Sequence, residues 1–136
     1  MASPRRLLAC CLLCLFLATS IGPATAGDPA FPFARELMLD AAPMRGSKRV
    51  PILEISDDGV ASIELWCARA RAQASVGEDS ITIVLGEVAP AQCAPERQSG
   101  DENLLAALAQ VTNWRRQGDV IELVGATTLR FRLMTN

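Results

Sequence analysis

Between Ile52 and Val88 apolar and polar residues alternate with a period of two, broken at intervals by turn-forming clusters. A strand sends successive side chains to opposite faces, so this pattern demands a sheet with one face buried and one solvated. "ILEIS" runs into Asp57-Asp58-Gly59 and then "VASIELWC", a hairpin with a short connection. In the returning strand Ala61, Ile63, Leu65 and Cys67 fall on one face, and Ser62, Glu64 and Trp66 on the other. "ARARAQASV" sets Ala70, Ala72, Ala74 and Val76 against Arg69, Arg71, Gln73 and Ser75. The small residues on one face leave room for another element, such as a helix laid across the sheet. "GEDS" turns the chain again, and "ITIVLGEV" is a further strand.

The period then changes. In "SGDENLLAALAQVTNW" the residues Leu104, Leu105, Leu108 and Val111 recur at helical spacing, which predicts a helix over 100–112. Ser99 and Glu102 have the S-x-x-E spacing of a capping box, and Asp101 and Glu102 suit the positive end of a helix dipole. Two strands follow, "GDVIELVG" and "TLRFRLM", the second with Leu129, Phe131 and Leu133 inward and Arg130 and Arg132 outward.

The N-terminal end has a different character. Arg5 and Arg6 precede an apolar run from Leu7 to Ala18, followed by Gly22-Pro23 and then Ala24-Thr25-Ala26. Basic, then apolar, then A-x-A is the order of a secretory signal peptide, with cleavage expected after Ala26. The apolar run is too short to span a bilayer, which takes about 20 residues, so no stable membrane insertion is expected. Cys10, Cys11 and Cys14 then fall in the discarded segment; lipoprotein processing at Cys10 is the alternative. This divides the chain into a signal peptide over 1–26, a proline-containing lead-in over 27–44, and a domain over 45–136. "RELMLD" within the lead-in suits either a first strand or a short helical turn. Arg45, Lys48 and Arg49 cluster among Pro43, Gly46 and Pro51, as an anion or partner contact or simply as a solvated loop.

After cleavage eleven basic residues face fifteen acidic ones, a net charge of −4. That balance argues against nucleic acid, which requires a basic face, and against attraction to anionic lipid. Two cysteines remain, Cys67 and Cys93. An even pair in an exported chain reads as one structural disulfide, with two buried thiols as the alternative. The chain has no histidine and no tyrosine. This removes the commonest general base and the serine–histidine and cysteine–histidine nucleophile systems. Asp57-Asp58 serves a turn, Asp101 and Glu102 a helix start. Glycine-rich phosphate loops and zinc-ligand spacings do not occur in the sequence. No catalytic residue, metal site or cofactor is therefore expected, and the chain reads as a non-enzymatic protein.

"WCARARAQASVGEDSITI", "APAQCAPE", "DENLLAALAQVTNWRRQGDVIELVG" and "TLRFR", taken together, resemble the META domain family of exported bacterial proteins related to the heat-shock protein HslJ. The resemblance covers about 45–133, and its most specific part is the helix of "DENLLAALAQ" running into "VTNWRRQGDVIEL". The family's usual Gly-Cys-Asn triplet is Trp66-Cys67-Ala68 here, so only the cysteine carries over. The resemblance implies an α+β fold, a small curved antiparallel sheet or partial barrel wrapped around one main helix. It further implies a periplasmic or secreted protein associated with envelope stress or antibiotic tolerance, and no catalytic residues. Two modes of action follow. One is binding to an unidentified envelope protein, with Trp66, Arg69 and Arg71 as candidate contacts unless sheet curvature buries Trp66. The other is carriage of a small apolar ligand or lipid inside the half-barrel, which the alanine-rich inner face disfavours.

Overall fold

The structure, a computed structural model, describes residues 30–135. The expected signal peptide, with its expected cleavage site and three cysteines, lies outside the described residues. Eight strands and one helix follow in the order β1 (Leu37–Leu39), β2 (Ile52–Ile55), β3 (Val60–Glu64), β4 (Arg69–Val76), β5 (Ile81–Ala89), α1 (Pro95–Leu108), β6 (Asn113–Gln117), β7 (Val120–Val124) and β8 (Leu129–Leu133). They form one antiparallel sheet ordered β5-β4-β3-β2-β1-β8-β7-β6. "RELMLD" supplies β1, a short strand joining the two halves of the sheet by pairing with both β2 and β8.

The sheet curls until its edges meet at one end. A bridge joins Ser80 to Asn113. The Ile81 amide donates to the Thr112 carbonyl at 2.9 Å, and the Trp114 amide to the Asp79 carbonyl at 2.9 Å. The helix α1 connects the two edge strands in sequence, and its Leu104 and Leu108 join the core of the half-barrel. Inward positions of the alternating strands fill the rest: Leu53 and Ile55, Ala61 and Ile63, the alanines of β4, Ile81 and Ile83, Ile121 and Leu123, and Phe131. Small residues along β3 and β4 and large ones elsewhere make one continuous cluster.

The β2–β3 turn shows why its residues are what they are. Gly59 has φ 86°, a left-handed conformation that suits glycine, and a Cβ there would meet the Ala74 carbonyl oxygen at 2.5 Å. The Asp58 carboxylate accepts from the Ser56 hydroxyl and from the Val60 amide at 3.3 Å. These two bonds, the Ser56 one first, hold its pKa below the ordinary aspartate value.

Two features of the helical region differ from the pattern read in the sequence. The helix runs Pro95–Leu108 rather than over 100–112, with Ala94 at the N-cap and no side-chain cap. Pro95 sits in the first turn, where its fixed φ and missing N–H cost nothing. Ser99 is therefore exposed mid-helix, and the capping box is not used. The first turn and a half, Pro95 to Ser99, is polar and carries no apolar periodicity to reveal it. At the other end the chain leaves the helix after Leu108, and "NWRRQ" becomes β6, an edge strand in which Trp114 alone is buried.

Candidate functional site

Past Glu64 the alternation of β3 breaks. The Leu65 amide donates to the Ala68 carbonyl at 3.0 Å, closing a tight turn in which Leu65, Trp66, Cys67 and Ala68 are all buried. Trp66, placed outward by strict alternation, is 9% exposed and so is not a surface contact; burial by the fold prevails. It packs over Gly100 of α1, where a Cβ would stand 3.2 Å from Trp66 Cε3 and closer still to Met44 Cε. The absence of a side chain at Gly100 is what lets the turn lie against the helix.

Asp101 fixes this turn. It is 5% exposed, and its carboxylate accepts from the Cys67 amide at 3.1 and 3.2 Å and from the Ala68 amide at 2.7 Å. Its side chain thus binds a turn 33 residues earlier in the chain rather than its own helix's free amides. The spacing 101, 104, 108 puts Asp101 on the same stripe as the buried leucines Leu104 and Leu108, a signal that it points inward. The same turn holds the disulfide: Cys67 and Cys93 are bonded, with their Cα atoms 5.9 Å apart. Arg49 adds a longer bond, its Nη1 lying 3.5 Å from the Cys67 carbonyl. Bond, carboxylate and guanidinium together clamp the β3–β4 turn, the β5–α1 link and the helix to one another.

On the opposite, outer face of β2–β5 lies a concavity of about 430 Å³. Its floor is Ser62, a small side chain between larger neighbours. The register pairs Glu54 with Ser62 and Ser62 with Arg71, so the three form one row across β2, β3 and β4. One step beyond the Leu37–Leu53 pair the same row reaches Glu36, beside Glu54. The next row pairs Glu64 with Arg69, whose guanidinium stands 3.3 Å from the carboxylate. Glu87 and Ala89 close the far wall, where a bulge in β5 opposite Arg71 shifts the register. Beyond Arg71 the face turns apolar: Val60 and Val84 flank Gln73 at 38% and 62% exposure.

Arg69 and Arg71 are thus exposed and line the same hollow, while Trp66 lies on the other side of the sheet end. Glu36, Glu54, Ser62 and Glu87 also line it and carry no sign of a site in the sequence, although Glu54, Ser62 and Glu87 occupy outward positions of their strands and Glu36 immediately precedes β1. The basic loop residues Arg45 and Lys48 are exposed and do not line it. Among the described residues no group of three or more histidine, cysteine or acidic side chains is arranged to hold a metal ion.

A curled antiparallel sheet with its helix between the edge strands, stapled by a disulfide at the β3–β4 turn, defines a small α+β half-barrel. The META domain model matches residues 35–135, and the chain belongs to the META domain family. Among solved structures it is similar to an NMR structure of a protein from Burkholderia xenovorans, with TM-score 0.56 and 18% identity, covering 85% of this chain and 98% of that one. A second NMR structure is similar at TM-score 0.53 and 15% identity, covering 73% of this chain and 88% of the other. At such identities the likeness concerns the fold. No curated protein matches the chain.

Proposed function

We propose that this META-domain protein is a non-enzymatic, exported envelope protein that acts by binding another protein through the outer face of β2–β5. The observation that carries this reading is where the free surface lies. The inner face is filled by one continuous core, whereas the hollow sits outside, lined by charged side chains around Ser62 and bordered by exposed Val60 and Val84. Exposed apolar side chains beside charged groups let a protein partner combine apolar burial with charge complementarity. Carriage of a lipid or apolar ligand would instead need an empty apolar interior.

Export is supported by the Arg5-to-Ala26 segment and by a disulfide suited to an oxidising compartment. A role in envelope stress or antibiotic tolerance rests on the family resemblance. The reading as non-catalytic rests on a chain with no histidine and no tyrosine. The test is site-specific photo-crosslinking in producing cells, with benzoylphenylalanine at Ser62 and, separately, at Glu102 on the helix. A discrete adduct from Ser62 that disappears with Arg71→Glu and is absent from Glu102 supports the reading. Equal adducts from both sites, or lipid retained on the purified protein in native mass spectrometry without any adduct, sink it.

A further inference from the structure

The two halves of the outer face treat charge differently. On β6–β8 the row Arg115, Glu122, Arg130 alternates in sign, and Glu122 is ion-paired to both arginines. Arg132 likewise meets Asp40 at 3.6 Å. On β1–β4 the corresponding row reads Glu36, Glu54, Ser62, Arg71, with two carboxylates side by side and a short hydroxyl where a cation would balance them. Like charges on adjacent strands repel. Neither Glu36 nor Glu54 has an ion-pair partner among the described residues, and neither does Glu87 or Arg71. Strands lie about 4.8 Å apart, so Arg71 is roughly 10 Å from Glu54 along the row, with the Ser62 hollow between them.

We infer that this hollow docks an extended segment of the partner protein, and that a lysine or arginine side chain of that segment sits over Ser62. The inference rests on the protein-binding reading and adds the partner's chemistry to it. The incoming cation would supply the charge missing between Glu54 and Glu36. Arg71 then stands free to meet a backbone carbonyl or an acidic side chain one or two residues along the same segment. The exposed valines at Val60 and Val84 receive the segment's apolar residues beyond it. Charge complementarity thus fixes which way the segment lies, since the acidic end of the row is at β1 and the basic end at β4.

The experiment uses the oxidised mature protein and two fluorescein-labelled probes, a Gly-spaced tetralysine peptide and its tetraglutamate counterpart, read by fluorescence anisotropy at low salt. The lysine peptide should bind and the glutamate peptide should not. Glu36→Gln with Glu54→Gln should weaken binding on the order of tenfold, about threefold per partly exposed carboxylate. Glu78→Gln with Glu102→Gln changes net charge equally but lies outside the hollow, and should leave the affinity within about twofold. Ser62→Lys places the cation in cis; it should abolish peptide binding and raise Tm by relieving the Glu36–Glu54 repulsion. Equal weakening by both glutamine pairs, or a lower Tm with unchanged peptide affinity in Ser62→Lys, overturns the inference. If the lysine peptide fails while Arg71→Glu still removes the Ser62 crosslink, protein binding stands and the basic segment falls.

Discussion

Removing the Asp101 carboxylate strands two buried amides at once. In Asp101→Ala the Cys67 and Ala68 amides lose their acceptors in a turn where both residues are buried. Each unsatisfied buried donor costs about 1–3 kcal/mol, and part of that is offset because a buried carboxylate no longer has to be desolvated. A net loss of about 3 kcal/mol is expected, a large share of the roughly 5–15 kcal/mol typical of a domain. Asp101→Asn keeps one carbonyl oxygen, which can retain the 2.7 Å bond from Ala68. It should cost about half as much, because only the Cys67 amide is stranded. Urea unfolding of the oxidised protein gives both values directly, with the m-value unchanged if only the native state is affected. If Asp101→Ala costs under about 1 kcal/mol, or if the asparagine variant is as damaging as the alanine, the carboxylate is not what holds the turn.

The Cys67–Cys93 bond closes a loop of sequence separation 26, for which the chain-entropy model gives about 3.5 kcal/mol. Cys67→Ser and Cys93→Ser should each lose about that much and the double variant little more, with additive losses in urea titration contradicting a shared bond. Ser99→Ala should be nearly neutral because Ser99 caps nothing, whereas Leu108→Ala should cost about 2–5 kcal/mol for the cavity left in the core; the reverse ranking would refute the helix assignment. Asp58 should titrate by NMR below the ordinary aspartate range and return toward it in Ser56→Ala. Its depressed folded pKa means the turn's contribution is present above the ordinary aspartate value and is lost as pH falls through the folded one; an unshifted midpoint in the native protein would contradict the hydrogen bonds assigned.

Where burial follows a simple period, residue pattern and structure agree. The hairpin at Asp57-Asp58-Gly59, the inward alanines of β4 and the inward Phe131 of β8 all follow period-two alternation along a half-solvated sheet. Agreement ends where one residue serves a distant partner. Trp66 follows Glu64 by two positions, yet the turn that buries it is set by a carboxylate on a helix that alternation cannot see. Asp101 and Ser99 both look like helix-start residues, and only Pro95, four positions upstream of Ser99, marks the true start. β6 is legible neither by alternation nor by composition, because its neighbour β7 and the closing bridge at Asn113, rather than apolar spacing, determine that it pairs. The outer-face hollow depends on which outward residues of four different strands share a row, and that is a property of register. Arg69 and Arg71 stand out because only Ala70 separates them in sequence; Glu36, Glu54 and Ser62 come together only in the folded sheet.

Amide chemical-shift mapping tests the central claim, that the working surface is the outer hollow, most directly. Isotope-labelled protein spanning 27–136 is titrated with the segment recovered from the Ser62 crosslink, and the perturbed amides are placed on the sequence. Perturbations should cluster at 52–54, 62–64, 69–71 and 86–89, with 100–108 on α1 unmoved. Shifts concentrated instead on α1 and the inward residues Ile121, Leu123 and Phe131 would place the ligand inside the half-barrel and contradict the account.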